Sequence, residues 1–386
     1  MSDRCAEARA KEYPRLDGIF LNAASYGPLP RRACAAVQRY NDRRAAADLA
    51  PSDFGDLLPR ARRAAAAIVG AEPAEIALTP NTSVAVNIGA SIARQRRQRG
   101  DDRSTIVVSH GEFPANVYPW LALEQQGFRV RLVPTDELGR PREAALLETL
   151  DDADTAVLAL SAVQFATGHR ADLERFGRIC HDRDILFAVD AIQAAGVVPV
   201  DVRAARIAVL AAGAQKWLCS PFGTGFAFVR SDLARSWQPE QPGWLAFAAS
   251  ADFNRLCTYE YDLYEDARRF EVGTLAFPEF SAMAESLELI LEIGVEAVWR
   301  HVQALQQPLL DWAAAREDVR VTSPLDDAHR SGIVCLRTAD VAATYHALAA
   351  AGVRCVLREG SIRFAPHFYN TADELARVVG LLERSS

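Results

Sequence analysis

Long apolar runs are scarce in this chain of 386 residues. No stretch approaches the roughly 18 consecutive apolar residues of a membrane-spanning helix. The first residues, MSDRCAEARAKEYPR, are charged and lack the apolar core of a secretory signal. We therefore expect a cytoplasmic protein without a membrane partner.

Paired cysteines are also absent. The seven cysteines are odd in number and widely spaced, and none forms a Cys-x-x-Cys pair; they are Cys5, Cys34, Cys180, Cys219, Cys257, Cys335 and Cys355. This pattern favours thiols in a reducing compartment over a disulfide framework. We expect no zinc site and no other metal.

Clustered basic charge is limited to one run, RQRRQR at residues 94–99. The remaining basic residues are scattered, and the net charge is −7. No aromatic residue interrupts the run, which is typical of the solvated end of a helix. We expect no nucleic-acid partner.

Two neighbouring stretches carry the chemistry: DAIQAAG at 190–196 and GAQKWLCSPFGTG at 213–225. Asp190 and Lys216 each follow an apolar run. A buried lysine loses its proton readily, and a neutral amine forms a Schiff base with an aldehyde cofactor. An aspartate can pair with a protonated pyridine nitrogen. Each residue alone is more often a surface charge or a helix cap, but the pair indicates pyridoxal 5′-phosphate (PLP).

The order Asp-x-x-Gln-x-x-Gly, followed by Lys216 and Pro-x-Gly-x-Gly, resembles the aminotransferase class V family of PLP enzymes. That family includes cysteine desulfurases, isopenicillin N epimerases and alanine:glyoxylate aminotransferases. The resemblance covers nearly the whole chain. It implies an α/β protein of PLP-dependent transferase fold type I, in which a large domain with a mainly parallel seven-stranded sheet precedes a smaller α+β C-terminal domain.

The predicted domains follow from this resemblance. Residues 1–25 form an N-terminal segment that packs with the small domain, residues 26–275 form the PLP-binding domain and residues 276–386 form the small domain. Apolar runs such as TIVVS at 105–109 and AVLALSAV at 156–163 alternate with amphipathic segments. This alternation favours a parallel sheet with ligands at the carboxyl ends of its strands. A long helix is predicted from Ser281 to Trp299.

The resemblance also implies residues that bind the cofactor. Thr82 and Ser83 begin a helix that would hold the phosphate, although such a turn is also an ordinary helix cap. Phe113 matches the side chain that stacks on the pyridine ring, with a core aromatic as the alternative. Gln193 is implied on the phenolic oxygen of the ring and Gln215 near the phosphate.

Three further assignments concern the phenolic oxygen, the substrate and the subunits. Gln164 is the polar residue nearest to a second amide for the phenolic oxygen, and Phe165 fits that position equally well. Arg363 matches the arginine that binds the substrate α-carboxylate, because a guanidinium holds a planar carboxylate by two bonds. Thr274, in a motif resembling RFE-x-GT, implies a homodimer with shared active sites.

Asn22 and Ser25 lie in a segment that the family places at the mouth of the active site, where it faces substrate. The alternative is a loop that enters a helix. His169 is expected to be solvated in a loop, and His367 to support the C-terminal turn. Cys219 is expected to be a packed thiol.

The predicted function is an aminotransferase acting on an amino acid, with Lys216 and Asp190 as catalytic residues. Desulfurases carry histidine where this chain has Phe113, and phenylalanine cannot exchange a proton. Gln215 precedes the lysine where desulfurases and epimerases have histidine, and no loop with a persulfide cysteine is visible. A carbon–sulfur lyase or an epimerase remains the alternative. A PLP-fold protein that binds without catalysis is a minor one.

Overall fold

A computed structural model describes residues 3–50 and 55–384. Residues 1, 2, 51–54, 385 and 386, which the predicted domains include, lie outside the described residues. In chain order the strands are β1 (Ile19–Phe20), β2 (Ile76–Thr79), β3 (Thr105–Ser109), β4 (Arg129–Val133), β5 (Thr155–Ser161), β6 (Leu186–Asp190), β7 (Val209–Gly213), β8 (Gly225–Val229), β9 (Arg320–Val321), β10 (Val334–Arg337), β11 (Val353–Arg354), β12 (Val356–Arg358) and β13 (Ser361–Phe364).

The α-helices lie before, between and after these strands. In chain order they are α1 (Asp3–Glu12), α2 (Arg31–Ala45), α3 (Leu57–Val69), α4 (Thr82–Gln98), α5 (Tyr118–Leu121), α6 (Glu143–Leu150), α7 (Leu173–Asp182), α8 (Ser231–Ser236), α9 (Phe277–Ile293), α10 (Val295–Ala314), α11 (Val341–Ala350) and α12 (Ala372–Arg384).

The large sheet has seven strands in the order β2-β8-β7-β6-β5-β3-β4. The neighbouring pairs among β7, β6, β5, β3 and β4 are parallel, and β8 runs antiparallel to both β2 and β7. The predicted α/β fold with a mainly parallel seven-stranded sheet is confirmed.

Six of the seven strands are buried on both faces, which explains why they read as continuous apolar runs; the edge strand β4 is mostly exposed and carries two arginines. In β5, Leu158 and Leu160 join one apolar cluster, whereas Val157 and Ala159 join the cluster on the opposite face. This is the two-residue period of a strand. Helix α9 packs against α2 and α3 on the first of these faces.

The carboxyl ends of the parallel strands bring the two sequence motifs together. Asp190 is the last residue of β6 and lies in register with Ser161 of β5 and Ala211 of β7. Lys216 follows Gly213, the last residue of β7. The aspartate and the lysine therefore stand at the same edge of the sheet, where α/β proteins bind their ligands.

The smaller sheet is antiparallel, in the order β12-β13-β10-β9. Its apolar side chains share a core with residues of α10 and α12. Strand β1 pairs in parallel with β11, so the chain near residue 20 contacts the C-terminal region. The domain boundaries after residues 25 and 275 stay predictions.

The predicted helix from Ser281 to Trp299 is wrong at both ends and in its continuity. Helix α9 ends at Ile293, and α10 begins at Val295. Between them Gly294 has a φ of 91°, in the left-handed region that side-chain-bearing residues avoid. Glycine allows the chain to turn here, and the apolar pattern continues across the turn because both helices are buried.

Within the described ranges 3–50 and 55–384, no helix combines the length and the hydrophobicity that crossing a membrane requires.

Candidate active site

Lys216 and Asp190 are both buried, with 9% and 2% of their surfaces exposed. Burial raises the pKa of Asp190 to about 6, against the opposing effects of a hydrogen bond from the Ile192 N–H and the charge of Lys216. Burial also lowers the pKa of Lys216 to about 8, against the charge of Asp190. Desolvation penalises each charged form, and the opposite charge partly offsets the penalty. The lysine is therefore a neutral amine for an appreciable fraction of the time near neutral pH.

Polar side chains meet at the amino end of α4, next to the end of β7. The Thr82 hydroxyl accepts a hydrogen bond from the Gly213 N–H at 2.9 Å. A Cβ placed on Gly213 would lie 2.6 Å from Gln215 Oε1 and 3.0 Å from Thr82 Oγ1, so both side chains lie over this glycine. The first N–H groups of a helix have no acceptor within it, and the positive end of the helix favours an anion. Ser83 is exposed in the same turn.

Asn81 is a residue of this turn that the sequence analysis missed. It is the N-cap of α4, and its side-chain oxygen accepts a hydrogen bond from the Val84 N–H at 3.0 Å. The signal was available, because asparagine is among the preferred N-cap residues. Asn81 keeps the helix end in place and leaves the N–H groups of Thr82 and Ser83 for a ligand.

Phe113 stands over the lysine. Its ring centroid lies 5.5 Å from Lys216 Nζ and 5.3 Å from the ring centroid of Phe165, which it meets edge to face. The side chain is 42% exposed, so it is not part of the buried core. This exposure disfavours the core-aromatic alternative.

Arg363 is a buried cation without a carboxylate partner among the described residues. It is 2% exposed, and it donates hydrogen bonds to the Phe165 carbonyl at 2.8 Å and to Ser25 Oγ at 2.9 Å. Its Nε is buried and has no acceptor. Burial lowers the pKa of Arg363 to about 10. A buried charge is costly unless it is paired, so this guanidinium calls for an anion.

Asn22 acts on this arginine through Ser25. The Ser25 hydroxyl donates to Asn22 Oδ1 at 2.7 Å and accepts from Arg363. The chain of hydrogen bonds fixes the orientation of the guanidinium. Asn22 thus contacts Ser25, and Ser25 is the residue in contact with Arg363.

Gln193 and Gln164 are buried, and their side chains already have protein partners. Gln193 donates to the Ala24 carbonyl at 3.0 Å and accepts from Trp217 Nε1 at 2.7 Å. Gln164 donates to the Gly111 carbonyl at 2.7 Å, and its oxygen accepts three hydrogen bonds, from the Ala166 N–H and from the N–H and hydroxyl of Thr167. Gln164 therefore stabilises its own turn, and its amide has one N–H left for a ligand.

Thr274 is exposed, and the residues just before it explain why. The Glu271 carboxylate accepts from Arg62 at 2.6 Å and from the Leu78 N–H at 2.9 Å. Arg269 donates to the carbonyls of Tyr264, Arg235 and Trp237. The arginine and the glutamate of the motif hold the backbone, and the threonine projects from it.

Glu112 is a buried residue beside the site that the sequence analysis missed. Its carboxylate accepts from the Ser161 N–H at 2.9 Å, from the Ser161 hydroxyl and from Asn116 at 3.1 Å. Burial raises the pKa of Glu112 to about 7, and the charge of Asp190 adds to the effect. Through Ser161 this carboxylate supports the strand beside Asp190. A glutamate directly before Phe113 was a signal, but one that surface glutamates share.

The sequence analysis made a prediction for two histidines, His367 and His169, and the structure shows that both are buried. His367 is fully buried, and the Phe368 N–H donates to its Nδ1 at 2.8 Å while Nε2 lies 2.7 Å from the Trp217 carbonyl. Burial lowers its pKa to about 4, so the ring is neutral and its Nε2–H holds the backbone next to Lys216. The expectation of a solvated His169 is wrong: this residue is 7% exposed, and its Nε2 lies 3.0 Å from Glu143 Oε1.

Comparison with known proteins identifies the family. The family model for aminotransferase class V matches residues 19–378. The chain belongs to this family. It is a PLP-dependent enzyme, and the resemblance inferred from the Asp190 and Lys216 motifs is confirmed.

Individual relatives differ in the reaction they are named for. An uncharacterized aminotransferase of Bacillus subtilis is 30% identical over 320 residues, which is 83% of this chain and 81% of that protein. Isopenicillin N epimerase of Amycolatopsis lactamdurans is 32% identical over 250 residues, covering 62% of this chain and 61% of the epimerase. The crystal structure of the Escherichia coli cysteine desulfurase CsdA superposes with a TM-score of 0.83 at 24% identity, covering 99% of this chain and 98% of that chain. At this identity the likeness of the structures shows the fold.

The residues at the sheet edge suit this cofactor. A pyridine nitrogen is matched by the buried carboxyl of Asp190, an aldehyde by the buried amine of Lys216, and a phosphate by the start of α4 and the hydroxyl of Thr82. The Nε of Arg363, buried without an acceptor, is a further group that an anion could satisfy.

The pKa of Lys216 can be measured directly, because Lys11 is the only other lysine in the sequence. In PLP-free protein labelled with carbon-13 at lysine Cε, we expect Lys216 to titrate with a midpoint near the pKa of about 8 that burial imposes. The Asp190→Asn variant removes a negative charge that raises this pKa, so its midpoint moves to lower pH. Lys11→Arg assigns the two NMR signals. Equal midpoints with and without the Asp190 charge would contradict the coupling.

Proposed function

We propose that the protein is a homodimeric aminotransferase that moves the amino group of an α-amino acid onto its cofactor, with Lys216 and Asp190 as catalytic residues. Thr82, Ser83 and Gln215 hold the phosphate, Gln193 and the remaining N–H of Gln164 lie toward the ring oxygen, and Phe113 covers one face of the ring. Arg363 binds the substrate α-carboxylate, oriented by Ser25 and Asn22.

Charge and proton transfer follow from the geometry of these residues. The bound cofactor supplies an electron sink for the carbon that loses its proton. Asp190, held at the strand end by the Ile192 N–H, would keep the pyridine nitrogen protonated. Lys216 would hold the cofactor through its aldehyde between turnovers. Its low pKa makes the released amine a base for the α-proton near neutral pH.

The observation that favours transamination over persulfide chemistry is the hairpin before Arg363. Arg358 of β12 pairs with Ser361 of β13, so only Glu359 and Gly360 form the turn. Both turn residues have positive φ, 45° and 72°, as the tight hairpin turn requires. Residues 355–363 are all described and contain no loop on which a thiol could travel. Burial raises the pKa of Cys355 to about 12, so its sulfur is a poor nucleophile.

A panel of single L-amino acids tests the reaction. We expect the holoenzyme to lose the visible absorption of its cofactor and to release one equivalent of 2-oxo acid per site, and to recover the absorption when a 2-oxo acid is added. The release of sulfide or of ammonia with pyruvate would instead show elimination. Racemised substrate without product would show epimerisation, and an unchanged spectrum with every amino acid would show a protein that binds without catalysis.

Arg363→Lys separates carboxylate binding from chemistry. Lysine cannot hold a planar carboxylate by two parallel bonds, so we expect KM for the amino acid to rise about 10- to 100-fold. The spectrum of the bound cofactor should not change, since Arg363 is assigned to the substrate. Arg178→Lys, at an exposed position of α7, is the matched control. An unchanged KM would remove Arg363 from the substrate site.

The proposed homodimer is supported by the exposed surface around residues 244–261. Large aromatic side chains project there: Phe253 is 72% exposed, Tyr259 85% and Tyr261 72%. Such exposure on a single chain is typical of an interface. Thr274 is exposed as well, so it is available to the phosphate of a neighbouring subunit. We also propose a cytoplasmic location, consistent with seven cysteines that form no disulfide.

Mixed dimers test the sharing of sites. Lys216→Ala removes the amine, and Thr274→Asp places a negative charge against the phosphate, so each homodimer should have little activity. If Thr274 acts across the interface, a hybrid of the two variants contains one intact site. Random pairing then restores about a quarter of wild-type activity. Recovery near zero, with hybrids verified by tagged purification, would show that Thr274 acts within its own chain.

A further inference from the structure

We propose that Glu143, His169 and His329 bind a divalent transition-metal ion, with Zn²⁺ as the best match. One ligand atom from each side chain lies within 4.8 Å of the other two. His169 Nε2 is 3.0 Å from Glu143 Oε1, and His329 Nε2 is 3.9 Å from Glu143 Oε2. The site uses none of the residues assigned to the cofactor or the amino acid, so it stands apart from the proposed reaction.

The spacing suits a small cation. Zinc bonds to histidine nitrogen and carboxylate oxygen are roughly 2.0–2.2 Å long, which puts ligand atoms about 3.3 Å apart in a tetrahedron. The His169–Glu143 pair is at 3.0 Å and every pair lies within 4.8 Å, so small side-chain movements would bring the three ligand atoms to this spacing. Three protein ligands leave the fourth position to water. Two imidazoles and one carboxylate favour Zn²⁺, Co²⁺ or Ni²⁺ over Mg²⁺ and Ca²⁺, which prefer oxygen ligands.

A second carboxylate prepares His329 for this role. Asp326 Oδ1 lies 2.6 Å from His329 Nδ1 and also accepts the His329 N–H at 3.1 Å. Nδ1 is thus the nitrogen next to Asp326, and Nε2 is the nitrogen next to Glu143 and available to a metal. This carboxylate–histidine arrangement is the usual support behind a metal-bound imidazole.

An ion pair alone explains the cluster poorly. Two histidine rings converge on the one carboxylate of Glu143. The rings of His169 and His329 are stacked, with centroids 5.0 Å apart and planes 24° apart. A cation between the three side chains satisfies both rings and the carboxylate.

The ligands come from distant parts of the chain that backbone contacts hold together. The Arg170 N–H donates to the His329 carbonyl at 2.8 Å, and Ser331 Oγ donates to the Gly168 carbonyl at 2.6 Å. A Cβ on Gly168 would lie 2.8 Å from the Ile333 carbonyl oxygen, so the two segments are as close as glycine allows. The metal would therefore tie the loop before α7 to the segment before β10.

The test is calorimetric titration of EDTA-treated holoenzyme with ZnCl₂ in a Cys34→Ser, Cys257→Ser background, which removes the two exposed thiols. We expect one Zn²⁺ per chain and no competition from MgCl₂. His169→Gln and His329→Gln should each weaken binding at least tenfold. Asp326→Asn keeps all three ligands and should still weaken it about 10- to 100-fold, a loss that a merely structural role would not produce.

His181→Gln, at an exposed position at the end of α7, is the control and should bind as the parent does. Circular dichroism establishes that each variant is folded, and Asp326→Asn keeps the proposal testable if a histidine variant is not. Absence of saturable Zn²⁺ binding to the parent, or equal binding by the parent and His329→Gln, would overturn the site. Because no amino acid is added, the outcome does not depend on the proposed transamination.

Discussion

The cost of burying charge governs the active site. Water is nearly excluded from Lys216, Asp190 and Arg363. Desolvation lowers the pKa of the lysine and the arginine and raises the pKa of the aspartate, and each shift favours the neutral form of the group. Two cations face one anion, so the cleft carries an excess of positive charge. A phosphorylated cofactor and a substrate carboxylate would both relieve that excess. The desolvation that makes these buried charges costly thus gives the site affinity for anions and a lysine that can act as a base.

A second group of buried polar residues keeps this cleft in shape without joining the chemistry. Glu112 holds Ser161, Glu271 holds Leu78 and Arg62, and His367 holds the Trp217 carbonyl. Each bonds to backbone beside a residue of the site. Because buried polar groups must be satisfied, these contacts fix positions more sharply than apolar packing could. They also show that buried charge near an active site is often structural support.

The sequence predicted the large sheet well and the side-chain contacts unevenly. Strands buried on both faces give apolar runs that end in turns, so TIVVS was predicted with the bounds of β3. The helix from Ser281 to Trp299 was wrong because a buried apolar pattern hides a break at Gly294. His169 was expected in solvent because burial of a loop residue depends on what packs over it. Gln164 has partners in its own turn, a local geometry that composition does not reveal.

What the sequence alone determined was the kind of chemistry. A lysine and an aspartate after apolar runs, each followed by a turn that contains glycine, need no tertiary information to indicate an aldehyde cofactor. Only the tertiary structure decided which distant residues meet, such as Ser25 with Arg363 and the carboxylate of Glu143 with two histidines. It also showed that a tight hairpin, and not a mobile loop with a cysteine, comes before Arg363. The physical reason is that pattern and propensity act over a few neighbouring residues, whereas contacts across hundreds of residues are set by how strands pair and layers pack.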